Sequence, residues 1–150
     1  MTDVTAIALF CEDVREEKAG TVTIVGVLSD GLAVPAFPGM LAKLALYVRF
    51  NVRIDATAKA ADLYLSSPNA PSVLVAHIDQ SLIVQAQEEA RRGGSDIAGL
   101  YSVAMFSPFP VLAPGRIVVE LDYGGERTQI GTLNIIGDAS TLPESAQSSR

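Results

Sequence analysis

Apolar and polar residues alternate strictly from Lys43 to Ile54. Leu44, Leu46, Val48, Phe50, Val52 and Ile54 fall on one side, and Lys43, Ala45, Tyr47, Arg49, Asn51 and Arg53 on the other. Strand side chains point alternately to the two faces of a sheet, whereas a helix would scatter these six around its circumference. The segment predicts a half-buried strand. Near the C-terminus, Ile117, Val119, Leu121 and Tyr123 alternate with Arg116, Val118, Glu120 and Asp122, and Gly124-Gly125 leads into a returning run, Thr128 to Ile136. Paired glycines supply the positive φ angles of a tight turn, so this region predicts a β-hairpin.

Further strands are predicted at Thr5–Glu12 and Thr21–Leu28, joined by a charged turn from Asp13 to Gly20. Others are Ala61–Ser66, Val73–Asp79 across Asn69-Ala70-Pro71, and Leu100–Ser107. Leu82–Arg92 offers a short helix, with Ser81 as cap, Arg91 and Arg92 at its negative end, Gly93 at C′, and Leu82, Ile83, Ala86 and Ala90 near one side. About eight strands at short spacing, with Gly and Pro turns, predict an all-β antiparallel β-sandwich of immunoglobulin-like or C2-like type. The reading gives one domain over 1–137 and a disordered polar tail over 138–150.

Composition narrows the function classes. Of 150 residues 49% are hydrophobic and only 19% charged, so there is apolar surface for a core and for a further contact. A net charge of −6 repels phosphate backbones and argues against double-stranded nucleic acid. The single cysteine, Cys11, cannot form an internal disulfide, and the N-terminal residues carry neither a basic signal region nor an apolar run of spanning length. Together these predict a cytoplasmic protein that does not enter a membrane.

Candidate chemistry is sparse. His77 is the only histidine and shares a strand face with Asp79, a spacing that fits an exposed polar pair better than an acid–base device. Cys11, in phase with Ile7 and Leu9, reads as a thiol on the core face, since no close pair of metal ligands accompanies it. The acidic run Glu12, Asp13, Glu16 and Glu17 lacks calcium-loop spacing and reads as a charged turn. Neither a phosphate-binding glycine motif nor a catalytic set is recognisable, and no cofactor is implied.

Two features point to binding. Lys43, Tyr47, Arg49 and Arg53 put three cations beside an aromatic on one strand face, a pattern suited to a small anion or a stacked base, or else to pairing with neighbouring acids. Two Pro/Phe loops, Val34–Met40 and Ser107–Gly115, hold Phe37 and Phe109, which would plug the sandwich ends or, if exposed, form a partner-binding tip.

The set Ala8-Leu9-Phe10-Cys11-Glu12-Asp13-Val14-Arg15, Thr23-Ile24-Val25-Gly26-Val27, Val34-Pro35-Ala36-Phe37-Pro38 and Leu44-Ala45-Leu46-Tyr47-Val48-Arg49 resembles a family of uncharacterised bacterial proteins carrying a domain of unknown function. The resemblance implies a cytosolic bacterial protein and carries over no catalytic residue. The expected function is a non-enzymatic interaction module, a subunit of a larger bacterial or phage-related assembly, with self-association or another protein as partner. One alternative is a binder of a small anionic ligand or single-stranded nucleic acid on the Lys43/Tyr47/Arg49/Arg53 face. Another is a hydrolase using carboxylates.

Overall fold

The computed structural model describes residues 2–29 and 31–137, so the tail predicted over 138–150 lies outside the described residues. Eleven strands and one helix follow in the order β1 (Val4–Glu16), β2 (Val22–Val27), β3 (Gly31–Val34), β4 (Gly39–Leu41), β5 (Leu44–Arg53), β6 (Ala61–Ser66), β7 (Val73–Ile78), α1 (Gln80–Arg92), β8 (Ile97–Phe106), β9 (Phe109–Val111), β10 (Gly115–Tyr123) and β11 (Glu126–Gly137). One sheet runs β2-β1-β5-β8 and the other β3-β11-β10-β6-β7, with β4 and β9 as a separate two-stranded ladder.

The two large sheets pack face to face. Phe10, Leu46, Val48, Phe50 and Val52 from the first share one core with Leu63, Ile117, Val119, Leu133 and Ile135 from the second. The alternation in β5 thus decides the layer: Leu44, Leu46, Val48, Phe50 and Val52 are all at most 1% exposed. The hairpin forms as expected, with Gly124 and Gly125 at φ 62° and 93° between β10 and β11. Both central residues of such a turn need positive φ, which only glycine reaches without steric strain.

The structure corrects several expectations. β3 runs parallel to β11, so the sandwich is mixed rather than wholly antiparallel. β3, β4 and β9, each of four residues or fewer, were not predicted, because such short strands carry too little alternation to be seen. The two Pro/Phe loops form β4 and β9 by pairing with each other, Gly39 opposite Val111 and Leu41 opposite Phe109. β1 extends through Asp13 to Glu16, so most of the supposed acidic turn is strand, paired with β2.

The helix also differs in detail. Its buried residues are Ile83 and Gln87, while Leu82 and Val84 face solvent. Gln87 Nε2 donates to the carbonyls of Arg53 (2.8 Å) and Ala56 (3.0 Å), fastening α1 to the end of β5. The cap is Asp79 rather than Ser81, and its side chain makes no cap hydrogen bond. At the other end Gly94, not Gly93, takes positive φ (75°). Gly94 N–H bonds to Arg91 O and Ser95 N–H to Ala90 O, the two reverse bonds of a Schellman motif.

Candidate functional site

The face of the β2-β1-β5-β8 sheet that points away from the core is set by the same alternation. Registers between its strands arrange the outward side chains in rows across the sheet. Ile7, Arg49 and Tyr101 form one row, and Leu9, Tyr47 and Val103 the next. Val27, Cys11, Ala45 and Met105 form a third. Three successive rows are therefore apolar or aromatic apart from Arg49. Ile7, Val27, Ile97, Tyr101 and Met105 on this face are between 43% and 52% exposed, whereas Cys11 and Ala45 in the third row are fully buried.

Tyr47 and Tyr101 stack with ring centroids 6.1 Å apart. Beneath them Cys11, Val14 and Ala45 make a second small buried cluster, with Val22, Ile24 and Val103 packed against it. Cys11 is buried, but on this outward face. The main core lies on the opposite side of β1, with Ala8 and Phe10. Its Sγ lies 3.7 Å from Ala45 O, and burial first, then the nearby Asp13 carboxylate, pushes the thiol pKa up.

Ion pairs are confined to the two ends of the face, with Arg49 standing between them. At one end Lys43 Nζ donates to Asp13 Oδ1 at 2.7 Å, and Arg15 lies 3.4 Å from the same carboxylate. The Lys43 hydrogen bond is the main cause holding the Asp13 carboxyl below its usual range. At the other end Arg53 grips both oxygens of Asp55, at 2.9 and 2.5 Å. A cleft of about 460 Å³ opens there, lined by Asp3, Asn51, Arg53, Asp55, Asp96 and Ile97. Three carboxylates around one guanidinium make that cleft unsuited to an anion.

The four residues predicted as an anion site therefore share a strand face, yet do not act as one cationic patch. Lys43 and Arg53 are held by acids at opposite ends, Tyr47 is stacked on Tyr101, and Arg49 stands between them. Among the described residues Arg49 has no ion-pair partner. Its guanidinium lies over Gly99, where a Cβ would come within 2.7 Å of Nη2. The absent side chain makes room for it.

Phe109 is buried and packs edge to face on Phe106, with centroids 5.4 Å apart. Phe37 is half-buried against the same core. Both plug the core, so neither forms an exposed tip. On the other sheet, His77 faces Asp62 across the β6–β7 ladder. Nδ1 lies 2.5 Å from Asp62 Oδ1 and Nε2 3.1 Å from Asp79 Oδ1. These two carboxylates, Asp62 foremost, raise the imidazole pKa. The group is exposed on a sheet surface, and Asp79 is turned to His77 instead of capping α1.

The sequence reading missed Ile7, Val25, Val27, Tyr101 and Met105 as surface residues. A signal existed: Ile97–Phe106 (IAGLYSVAMF) is apolar in both phases, the pattern of a strand covered on both faces.

Residues 6–136 match a family of unknown function (DUF6941). The chain belongs to DUF6941. The match runs from β1 into the end of β11, so both sheets, both Pro/Phe loops and the three apolar rows are parts of the DUF6941 domain. No curated protein and no solved structure matches this DUF6941 chain. Among the described residues, no helix is long and apolar enough to cross a membrane.

Proposed function

We propose that the chain is a non-enzymatic interaction module, a cytoplasmic subunit of a larger bacterial assembly, that docks onto protein through the outward face of the β2-β1-β5-β8 sheet. The observation that carries this reading is the three adjacent rows around Ile7, Tyr47 and Val103, apolar in the middle and ion-paired at both ends. An apolar centre with a charged rim is the anatomy of a protein interface, and tyrosine, methionine and arginine are enriched in such centres. A contiguous exposed apolar area of this kind is uncommon on a protein that works alone. The non-enzymatic part draws on the position of the groups with shifted pKa values. His77 and Asp13 sit in exposed ion pairs on the sheet surfaces, and Asp55, which lines the open cleft, is itself held by Arg53.

The test is a photo-crosslinking residue placed singly at Ile7, Val103 or Thr132, with the full chain expressed in its own host. Thr132 lies opposite Val118 on the outward face of the other sheet and serves as control. Protein adducts from positions 7 and 103, and none from 132, are expected. Adducts absent from both test positions, or equally abundant from all three, overturn the reading.

A further inference from the structure

We infer that the side gap between β1 and β11 is a docking site for an extended segment of another protein, which enters it as an added strand. This site is separate from the outward face described above, and nothing in it depends on what binds there. Three features carry it: two open strand edges, an apolar floor between them, and a wedge shape that ends in a glycine contact.

The two sheets leave a gap at each side of the sandwich. One is filled by α1, which lies against β8 and buries Ile83 in the shared core. The other, between β1 and β11, is a groove of about 580 Å³. Among the described residues, its walls are strand edges with no strand beyond them. Residues 4–9 of β1 pair only with β5, because β2 begins to pair at Cys11. Residues 126–133 of β11 pair only with β10, because β3 joins at Asn134. Both strands run inward from the mouth, where Asp3 and Glu126 stand, to Ala8 and Gly131. A Cβ on Gly131 would lie 2.8 Å from Ala8 Cβ and 2.9 Å from Ala8 O, so only glycine lets the edges touch there. One residue earlier the β10–β11 register shifts, and Ile130 stands opposite no residue of β10. A bulge bends its strand, and this one sits where the two edges part.

Walls and floor together define the occupant. Along an open edge every second residue turns its N–H and C=O sideways, a spacing that an extended backbone matches. A strand has two such edges, so one inserted segment serves both walls. β1 and β11 run in the same direction, and the segment can therefore lie antiparallel to both, the more stable pairing. The floor is apolar: Val4, Ala6, Ile130 and Tyr123 are half-buried against the core, and Leu121 is buried. Alternate side chains of an inserted strand point down onto this floor, so small or branched apolar residues suit every second position. Thr5, Thr128 and Gln129 on the walls are exposed, which suits polar residues between. About five residues, or roughly 16 Å of strand, span the walls from the mouth to the contact.

The probe is a capped hexapeptide of alternating valine and threonine, titrated into the full chain and followed by amide NMR. At millimolar peptide the Thr5, Ala6, Thr128 and Gln129 amides are expected to shift and to gain about tenfold protection against hydrogen exchange, while those of β8 stay unchanged. Methylating the peptide nitrogens at every second residue should weaken binding about tenfold in either phase, because each phase faces one wall. Ala6→Phe, which fills the floor, should abolish the shifts, with circular dichroism reporting the fold. If that variant does not fold, the methylated peptides on the wild type carry the test. No shift at these amides, or binding that either methylated peptide retains in full, overturns the inference. Shifts at the same amides on diluting the chain without peptide would give the groove to a second copy and overturn it as well.

Discussion

The two sheets of this sandwich contribute to the same core, yet their outward faces differ. On the β3-β11-β10-β6-β7 sheet, charged neighbours meet partners of opposite sign. His77 sits between Asp62 and Asp79, Arg127 lies 3.4 Å from Asp122, and the same guanidinium rests 3.9 Å from the centroid of Tyr64. That face also leaves Leu74 on β7 and Ile136 on β11 more than half exposed, so its charges share it with apolar edges. On the β2-β1-β5-β8 sheet, ion pairs stand only at the two ends, and Ile7, Leu9, Tyr47, Tyr101, Val103 and Met105 occupy the middle. The contrast teaches that pointing outward and being built for water are separate properties of a strand face. Alternation fixes the first, while the chemistry of the outward set fixes the second.

The contrast can be broken in order of expected effect. The largest concerns neighbours on β5 whose side chains point oppositely. Phe50→Ala empties a fully buried site and should cost about 3–5 kcal/mol in denaturant unfolding. Arg49→Ala should stay within about 0.5 kcal/mol in the same measurement. Equal losses would erase the distinction between the faces of that strand.

Next is Arg127→Ala on the polar face, which removes one partly exposed ion pair and one cation–π contact. A loss of about 1 kcal/mol or less is expected in thermal unfolding, with crosslinking from positions 7 and 103 unchanged. Loss of those adducts would show that the polar face, too, takes part in docking.

A smaller effect separates the faces by pH. The folded pKa of His77 is raised above 6.5 by Asp62 and then Asp79. Protonation is thus favoured by folding, and the contribution is full below about pH 6.5. It is lost as pH rises through the raised folded value. The Tm of the wild type should approach that of His77→Gln on going from pH 6 to pH 9. Asp13 on the other sheet behaves oppositely. Its carboxyl is held below 3.8, chiefly by Lys43, so its contribution is present above that value and is lost as pH falls through the lowered folded value. Asp13→Asn should therefore match the wild type only in strong acid. Parallel pH profiles for His77→Gln and Asp13→Asn would contradict both assignments.

The smallest effect is at Cys11, fully buried and with its thiol pKa raised. A thiol reagent should leave it unlabelled in native protein and label it in denaturant. Labelling without denaturant would mean that the cluster beneath the apolar rows opens readily.

Much of the fold was legible because long strands declare themselves. β5 offered five consecutive inward side chains, and the β10–β11 turn offered two glycines where positive φ is required. What failed was short or depended on a distant partner. β4 and β9 have three residues each and exist because two proline-containing loops meet. β3 pairs parallel with a strand about a hundred residues later, a contact that nothing local encodes. The phase of Cys11 was read correctly and its side of the sheet was not, since Ile7 and Leu9 look like core residues until Phe10 takes that place.

The candidate site divides the same way. From sequence alone, Lys43, Tyr47, Arg49 and Arg53 belong to one face of one strand, because a period of two leaves no other arrangement. Whether their charges act together depended on which acids arrived from elsewhere. Asp13 comes from β1 to Lys43, and Asp55 from the turn after β5 to Arg53, so only Arg49 remains among apolar neighbours. The sequence determined membership of the sheet and the direction of each side chain, because these follow from backbone geometry over a few residues. The neighbours across the sheet, the side on which the core lies, and the gathering of apolar side chains on one outward face were decided by the tertiary structure, because they depend on register and layer order between strands far apart in the chain.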